Sequence, residues 1–577
     1  MQKALSKKLK NLYHKSKINC IHYDSYYIIS NMIADEKFFP FKDIRPQQKI
    51  VINELNKNEN KKYIFLQCGT GTGKSAIAID ICKTLGYGYI VTTTKQLQKQ
   101  YDRDFHNESF ALVKGRNNYV CEYSDGELTC DCAPCLTNKA IAKECDEKEI
   151  ECPYKEIMKK AAASSIFCCN YSYFLHKSRK SSPRNVVVFD EAHNIENHLV
   201  EFGSIEITPS EFFNMYLNKS ERNQFDSYLK KIENEFRDIA ENDSMQQEYF
   251  RFLNEFYKKV VEPKWTELDS QFQYALKEAA KTKSYDMVKT LSKRNDFINR
   301  LKTKLEYVTD KNWTNFVIEI KTNYKGKKGI YVTPLEVKEL FYDIVYPTAD
   351  KFIFMSATIL DYETMAESLG LPIDKCCFIN LESEFEPSRS PIVQICNIDT
   401  SYKNMNNPSL PDDIYKMIQK IIDHHANEKG IIHTGNSKIT KMIYDKFKGN
   451  PRFLYRRDDI TNQDILNVHL NTSEPTILVS SSMINGVDLY DDLSKFQIIV
   501  KIPYLNLGNK RVKIKAKRNQ NWYTLNLWYN IIQECGRSTR NEFDSSTTYV
   551  LDKNFSREFA AAKSRNILPQ QFVKRII

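Results

Sequence analysis

Short apolar runs alternate with helical segments through much of this chain. The first is YIFLQC at 63–68, which is followed by a glycine-rich turn and the helical run SAIAIDICKTL. Runs of the same kind follow as YGYIVTT, SIFCCN, NVVVFD at 185–190 and FIFMS at 352–356. Short unbroken apolar runs are typical of strands that are buried on both faces of a parallel sheet. The pattern therefore predicts a doubly wound α/β fold.

A second series of apolar runs lies further along the chain. It consists of GIIHT at 430–434, TILVSS at 476–481, QIIVKIP at 497–503 and TTYVLD at 547–552. A single hydrophobic core stops growing at roughly 250–300 residues, so a chain of 577 residues needs several domains. We expect two similar α/β lobes, the first formed by 1–114, 161–200 and 336–385 and the second by 386–577.

Two insertions interrupt the predicted first lobe. The segment 201–335 is highly charged and has apolar residues at helical spacing, which predicts a helical subdomain. The segment 115–160 holds six of the 15 cysteines, whereas scattered buried thiols would not cluster in this way. Thiolates select zinc or iron–sulfur clusters, and the spacing leaves both open, together with the absence of any metal. The six cysteines are Cys121, Cys130, Cys132, Cys135, Cys145 and Cys152.

Composition and charge narrow the classes of protein. No stretch approaches the roughly 20 apolar residues that span a bilayer, and the basic N-terminus lacks the apolar segment of a secretory signal. We therefore expect an intracellular, cytoplasmic protein without membrane contact. The formal net charge of +11 favours a polyanionic partner only slightly, because it is spread over a large surface.

A phosphate-binding loop is the strongest chemical signal. The sequence Gly69-Thr70-Gly71-Thr72-Gly73-Lys74-Ser75 follows a predicted strand and opens a predicted helix, as such a loop requires. Its glycines let backbone amides face the phosphates, and the helix N-terminus adds its positive dipole end. We expect Lys74 to reach the β- and γ-phosphates of ATP and Ser75 to bind Mg²⁺. An accidental glycine-rich turn is the alternative.

Two further motifs suit the same chemistry. Asp190 and Glu191 end a predicted strand at the edge of the sheet where ligands bind; Asp190 would complete the Mg²⁺ shell and Glu191 would activate the attacking water. Gln533, Arg537 and Arg540 lie together on a predicted helix, and guanidinium groups suit the charge that develops on a transferring phosphoryl group. Alone, each motif has a structural alternative, an acidic strand end or a solvated basic face.

The stretch 510–518 alternates basic and apolar residues, with Trp522, Tyr523 and Trp528 close behind it. A strand with one basic face could follow a phosphate backbone, and the aromatic rings could stack on bases. A solvated edge strand beside core aromatics is an equally good interpretation.

Together these motifs resemble superfamily 2 helicases. The residues that carry the resemblance are GTGTGKS, DEAHNIE (190–196), MSATIL (355–360), GVDLYDD (486–492) and QECGRSTR (533–540). KGRNNYVC (114–121), the Cys-Pro-Tyr at 152–154 and NYSYF (170–174) are similar to the XPD/DinG branch in particular, including its shorter bacteriophage members. The resemblance covers about 40–560 and implies two RecA-like lobes. It also implies that the insertion 201–335 is the arch of this branch, which frames a pore for single-stranded DNA with the cysteine segment.

The resemblance also implies roles for individual residues. Gln48 resembles the adenine contact, 92–100 the segment that touches the DNA backbone, and 356–358 the motif that couples hydrolysis to lobe movement. Gly486, Asp488 and Gln533 resemble nucleotide contacts of the second lobe, and Arg537 and Arg540 resemble arginine fingers.

The location of the cysteine segment resembles that of the [4Fe–4S] cluster in the same branch. Its ligands would be Cys121, Cys135, Cys145 and Cys152, with Cys130 or Cys132 as possible replacements for Cys135. Zinc remains an alternative.

The expected activity is that of an ATP-dependent DNA helicase with 5′→3′ polarity that uses Mg²⁺, acts as a monomer on single-stranded and forked DNA, and works in a host cytoplasm if it is phage-encoded. An RNA-directed or non-unwinding translocase and a non-enzymatic, metal-dependent DNA-binding protein are the alternatives.

Overall fold

A computed structural model shows how the predicted elements assemble. Strands and helices are numbered below in chain order. The structure describes residues 32–69, 71–177, 182–207, 243–258, 262–311, 313–322, 328–382, 385–455, 462–480, 489, 491–538 and 544–577.

A seven-stranded parallel sheet forms the core of the first lobe. Its strands are β1 (Tyr63–Cys68), β2 (Gly88–Thr92), β3 (Phe110–Leu112), β4 (Ile166–Asn170), β5 (Arg184–Asp190), β9 (Ala349–Ser356) and β10 (Cys376–Leu381). They lie in the order β10-β1-β9-β5-β2-β4-β3, and all neighbours run parallel. All six residues of β1 are buried, as expected for a strand covered on both faces. The flanking helices are α1 (Pro46–Lys57), α2 (Lys74–Thr84), α3 (Lys95–Phe105), α6 (Tyr171–Lys177), α7 (Ile195–Gly203), α11 (Lys338–Leu340) and α12 (Tyr362–Leu369).

A six-stranded parallel sheet forms the second lobe. Its strands are β11 (Ile392–Ile398), β12 (Gly430–His433), β13 (Phe453–Tyr455), β14 (Ile477–Ser480), β15 (Phe496–Ile499) and β16 (Thr547–Asp552). Their order is β11-β16-β15-β12-β14-β13. The helices are α13 (Leu410–His424), α14 (Ser437–Phe447), α15 (Asn462–Asn471), α16 (Lys510–Arg518), α17 (Gln520–Cys535), α18 (Asn554–Ser564) and α19 (Gln570–Lys574). The two sheets confirm the prediction of two doubly wound α/β lobes.

The insertion between α7 and α11 is not helical throughout, so the prediction for 201–335 was wrong in part. It contains the helices α8 (Asp243–Phe256), α9 (Glu262–Lys281) and α10 (Tyr285–Thr309) and a three-stranded antiparallel sheet, on which α8 and α10 pack. The sheet consists of β6 (Ile205–Ile207), β7 (Phe316–Thr322) and β8 (Lys328–Pro334), in the order β6-β8-β7. These strands are short and lie at the two ends of the insertion, where the helical spacing between them dominates the sequence pattern. Among the residues described, no helix is both long and apolar enough to cross a bilayer.

The cysteine segment contains two helices, α4 (Lys139–Glu147) and α5 (Pro153–Ala163), joined by short turns. An isolated bridge between Val120 and Thr129 closes its first loop. The segment packs on the same core as the central strands of the first lobe.

Two expectations for the second lobe were wrong. The stretch 510–518 is the helix α16, begun by the Asn509 side chain, which accepts a hydrogen bond from the backbone of Val512. Its basic residues include Arg511 and Lys515, which are one helical turn apart and buried. Moreover, α17 ends at Cys535, so Gln533 is helical while Arg537 follows the helix.

Candidate active site

The phosphate loop lies between β1 and α2, at the carboxyl edge of the first sheet. Gly73 adopts a left-handed conformation with φ of 77° and caps α2. A side chain there would clash with the Gln48 amide, because a Cβ atom would lie 2.3 Å from its nitrogen. The Lys74 ammonium turns back over the loop and donates to the carbonyls of Cys68 at 3.1 Å and Gly69 at 3.3 Å. The loop is therefore shaped for phosphate before phosphate is bound.

The side chain of Gln48 stabilises the phosphate loop through hydrogen bonds. Its amide nitrogen donates to the Thr72 carbonyl at 3.1 Å, and its oxygen accepts from the Arg45 backbone at 2.9 Å. Arg45 in turn donates to the Gly71 carbonyl at 2.6 Å. Both ends of the Gln48 amide are thus bonded to the protein, and a contact with adenine stays a prediction.

Asp190 ends β5 next to the loop. One carboxylate oxygen accepts from the backbone of Glu191 at 3.0 Å, and the other accepts from the Tyr101 hydroxyl at 2.9 Å. Burial and then the charge of Glu191 raise the pKa of Asp190 to about 6, while Lys74 opposes the shift. Ser75 is a hydrogen-bonding neighbour of the same Tyr101 hydroxyl. Tyr101 therefore joins the two oxygen donors that are predicted to hold Mg²⁺.

Replacing Tyr101 with Phe should weaken Mg²⁺ binding without unfolding the site. The ring of Tyr101 is fully buried and would be retained, whereas the hydroxyl that orients Asp190 would be lost. Because outer-shell partners typically contribute about 10–100-fold to metal affinity, we expect the Mg²⁺ concentration for half-maximal nucleotide binding to rise about tenfold. A titration of Mg²⁺ monitored by a fluorescent ATP analogue checks this; an unchanged midpoint would contradict it. Tyr89→Phe, in the same sheet but away from Asp190, is the control.

Glu191 lies in a left-handed conformation with φ of 54°, which turns its side chain into the cleft between the lobes. Its carboxylate accepts from the Ser356 hydroxyl at 3.2 Å. The Ser356 hydroxyl also lies 2.8 Å from Nδ1 of His193. Burial lowers the pKa of His193, although the charge of Glu191 opposes the shift, and this favours the neutral imidazole. The residue predicted to activate water is thus connected to the end of β9.

The turn after β9 is fixed on both sides. The Gln67 side-chain oxygen accepts from the backbone amides of Ile359 and Leu360, each at 2.7 Å. From the second lobe, Gln533 donates to the Thr358 hydroxyl at 3.1 Å. This turn therefore contacts both lobes at the cleft.

Arg537 enters the cleft from the second lobe and is buried. Burial raises the pKa of the neighbouring Glu534 to about 8, although the Arg537 charge lowers it. The cleft is lined by Gly69, Lys74, Glu191, Gln533 and Arg537, among others. These residues come from distant parts of the chain, and the fold brings them to one cleft.

Two further residues line the cleft without any signal in the sequence. Arg575 donates to the carbonyls of Ser390 at 2.7 Å and Cys535 at 3.0 Å, and it also lines the cleft. The ring of Phe385 lies over Gly71, where a Cβ atom would come within 2.2 Å of it. Neither residue belongs to a recognisable motif, so only tertiary structure could reveal them.

Four predicted site residues, Thr70, Gly486, Asp488 and Arg540, lie outside the described residues. Their roles stay predictions.

The cysteines of the inserted segment are near neighbours. Burial raises the pKa of the Cys135 thiol, and the thiols of Cys121 and Cys152 raise it further. Burial also raises the pKa of Cys145 to about 11, with Cys135 and Cys121 as its next contributors. The four predicted ligands therefore form one group of thiols.

The two surplus cysteines differ in their surroundings. Burial and then Cys152 raise the pKa of Cys130 to about 12, so Cys130 lies beside the group. Burial raises the pKa of Cys132 to about 11; the charge of Asp131 raises it further, and Lys293 of α10 lowers it. Within the described part of the chain, no three His, Cys, Asp or Glu side chains are arranged to hold one metal ion.

Comparison with known proteins agrees with this geometry. Residues 90–212 match the family model DEAD_2, and residues 415–571 match the model of the helicase C-terminal domain. The chain is 21% identical over 524 residues to the ATP-dependent DNA helicase YoaA of Haemophilus influenzae, covering 77% of this chain and 79% of that protein. The YoaA protein of Escherichia coli is 19% identical over 549 residues, covering 83% and 85%.

The fold has solved counterparts as well. A structure titled XPD_Helicase superimposes with a TM-score of 0.63 at 15% identity, covering 91% of this chain and 99% of that one. The structure of S. tokodaii Xpd4 gives a TM-score of 0.52 at 13% identity, covering 92% and 99%. Such low identity establishes the fold alone. The two helicase domain models and the YoaA relatives show that the chain is a helicase that hydrolyses ATP, and its fold is similar to that of XPD.

Proposed function

We propose that the protein is an ATP-dependent DNA helicase that translocates 5′→3′ on single-stranded DNA and unwinds forked duplexes as a monomer. The observation that carries the proposal is the cleft that Lys74 and Glu191 share with Gln533 and Arg537 of the other lobe. A site assembled from two lobes can be completed or dismantled by their movement, which is what a motor requires. The DNA substrate is supported by the relatives named above, and the polarity by the XPD/DinG-like motifs.

The residues of the cleft divide the work of ATP hydrolysis. The phosphate-loop amides and Lys74 bind the phosphates, while Ser75 and Asp190 hold Mg²⁺, which neutralises charge on them. Glu191 orients the attacking water and accepts its proton. Arg537, with Arg540, stabilises the charge that develops on the transferring phosphoryl group.

Movement would be coupled to hydrolysis through the turn that follows β9. Ser356 contacts Glu191 on the phosphate side, and Thr358 contacts Gln533 of the second lobe. Loss of the γ-phosphate changes what Glu191 and Arg537 bind. The hydrogen bonds of Ser356 and Thr358 would then transmit that change from one lobe to the other.

Strand-displacement assays test the substrate and polarity. We expect ATP-dependent opening of duplexes with a 5′ single-stranded tail, and at least tenfold slower opening of 3′-tailed duplexes or of duplexes with RNA tails. The control is the same substrate set with a non-hydrolysable ATP analogue. Opening of only 3′-tailed duplexes would contradict the polarity, and a preference for RNA would contradict the substrate.

We further propose that Cys121, Cys135, Cys145 and Cys152 hold a [4Fe–4S] cluster. The proposal is supported by the grouping of these four thiols and by the location of the segment, which resembles that of the cluster in the XPD/DinG branch. Four thiolates can each bind a different iron atom of such a cluster. The cluster would stabilise a segment that has little core of its own.

Anaerobic purification tests the cluster. The protein should be brown, absorb broadly near ~400 nm and contain about four iron atoms per chain. Cys121→Ser should abolish the absorbance, whereas Cys132→Ser should leave it, because Cys132 faces Asp131 and Lys293 instead of the other thiols. Colourless protein that contains zinc would contradict the proposal.

A further inference from the structure

A buried charge cluster joins the two lobes away from the ATP cleft. Its centre is Glu196, in the first turn of α7 and five residues after Glu191. One Glu196 oxygen accepts from Arg511 at 2.5 Å and from Lys515 at 2.7 Å, and the other accepts from the indole nitrogen of Trp522 at 2.8 Å. Because α7 belongs to the first lobe and α16 and α17 to the second, every one of these bonds crosses the lobe boundary.

The charged groups of the cluster have further partners and balance one another's charge. Arg511 also donates to the Pro334 carbonyl at 2.8 Å, and Lys515 lies 3.3 Å from Glu336. Burial would raise the pKa of Glu196, but Lys515 and Arg511 lower it overall. Arg511, Lys515 and Trp522 are each no more than 5% exposed. Separating these buried charges would leave them without partners and without hydration, which is strongly unfavourable.

The helix α17 has a very different contact at its other end. Trp522 lies near its start, whereas its last turns contact the first lobe through neutral hydrogen bonds. Tyr529 donates to the Ile359 carbonyl at 2.9 Å, and Gln533 donates to the Thr358 hydroxyl at 3.1 Å. Gln533 and Thr358 both line the cleft that is proposed to bind ATP. Of the two contacts, the neutral one at the cleft is therefore easier to break.

We propose that Glu196, Arg511, Lys515 and Trp522 form a fixed pivot about which the lobes turn during the ATP cycle. Glu196 is a positioning residue, since it acts on the reaction only through α7 and α17. The inference rests on the proposed helicase function, and it specifies the point about which the lobes move.

The geometry makes α17 a lever. Trp522 and Gln533 are separated by eleven residues, or about 16 Å at 1.5 Å per residue. A turn of about 10° around the pivot would therefore move the Gln533 end by about 3 Å. That displacement is enough to break the hydrogen bond to Thr358 and to move Arg537 relative to Glu191 within the cleft that both residues line. The pivot would thus set the register between the water-activating residue and the arginine finger.

Steady-state kinetics test the positioning role. Glu196→Gln should lower the kcat of DNA-stimulated ATP hydrolysis at least tenfold, because α17 is no longer held in register. The KM for ATP should stay within threefold, since the phosphate loop is untouched. Adding Lys515→Met removes the unpaired cation and should recover at least threefold of the lost kcat. Glu367→Gln, which neutralises an exposed carboxylate that accepts from Asn519 across the lobe boundary, is the matched control and should stay within twofold of the wild type.

Fluorine NMR tests whether the contact persists through the cycle. The chain has four tryptophans, so 5-fluorotryptophan labelling gives few signals, and Trp522→Phe assigns the one of interest. That signal should shift by less than its linewidth when ADP and beryllium fluoride are added, while Glu196→Gln should displace it. A nucleotide-induced shift as large as that of Glu196→Gln, or a kcat for Glu196→Gln within twofold of the wild type, would overturn the pivot. A wild-type protein that does not hydrolyse ATP would instead overturn the proposed function.

Discussion

Lys74→Ala should reduce DNA-stimulated ATP hydrolysis by about 10²–10³-fold in kcat/KM, as removal of a preorganised charge-stabilising donor does elsewhere. The Lys74 ammonium already lies over the carbonyls of Cys68 and Gly69. It needs only to exchange these weak partners for phosphate oxygens. A charge that is already in place stabilises the developing negative charge without reorganising during the reaction. Phosphate release measured at saturating single-stranded DNA checks the expectation.

Lys83→Ala is the matched control for this substitution. Lys83 lies on the same helix, α2, but it forms an ion pair with Glu108 away from the cleft. We expect turnover within twofold of the wild type, because a partly exposed ion pair contributes little to stability. If Lys74→Ala retained more than a tenth of the wild-type turnover, the phosphate loop would not be the site of hydrolysis.

The α/β architecture was predictable because its signal is local. Each central strand is an unbroken apolar run, because a strand that is buried on both faces needs apolar side chains at successive positions. The edge strands escaped notice: β10 and β11 contain polar residues such as Asn380 and Gln394, because an edge is less completely covered. The strands β6, β7 and β8 of the insertion were missed because the long helices between them dominate the pattern of apolar positions.

The helix α16 shows where a two-residue period misleads. Its alternating basic residues suggested a DNA-binding strand, but the two buried ones, Arg511 and Lys515, are four residues apart, which is the spacing of one helical turn. Their partner Glu196 lies more than 300 residues earlier in the sequence. No property of the stretch 510–518 itself reveals that partner. Hence motif spacing indicated which residues meet at the ATP cleft, whereas the contacts that fix the lobes to each other needed the folded chain. The exposed Lys513, Lys517 and Arg518 remain free to face a phosphate backbone.

Glu191→Gln should lower the rate of ATP hydrolysis by about 10²–10⁴-fold, the usual contribution of a general base, while leaving ATP binding intact. The amide has the same shape and can still accept the Ser356 hydrogen bond, but it cannot take a proton from water. The substitution also removes a charge that, after burial, raises the pKa of Asp190, so binding of Mg²⁺–ATP should not weaken. Single-turnover hydrolysis, compared with binding of a fluorescent ATP analogue, separates the two effects.

The control for Glu191→Gln is Glu201→Gln, which neutralises an exposed carboxylate at the far end of α7. It removes the same charge from the same region of the first lobe, yet it should change neither rate nor binding. A Glu191→Gln protein that hydrolysed ATP at more than a tenth of the wild-type rate would exclude Glu191 as the base. Loss of binding in parallel with rate would instead assign Glu191 to the nucleotide pocket. Only a slow enzyme that still binds ATP fits a carboxylate that is held by Ser356 on one side and open to the cleft on the other.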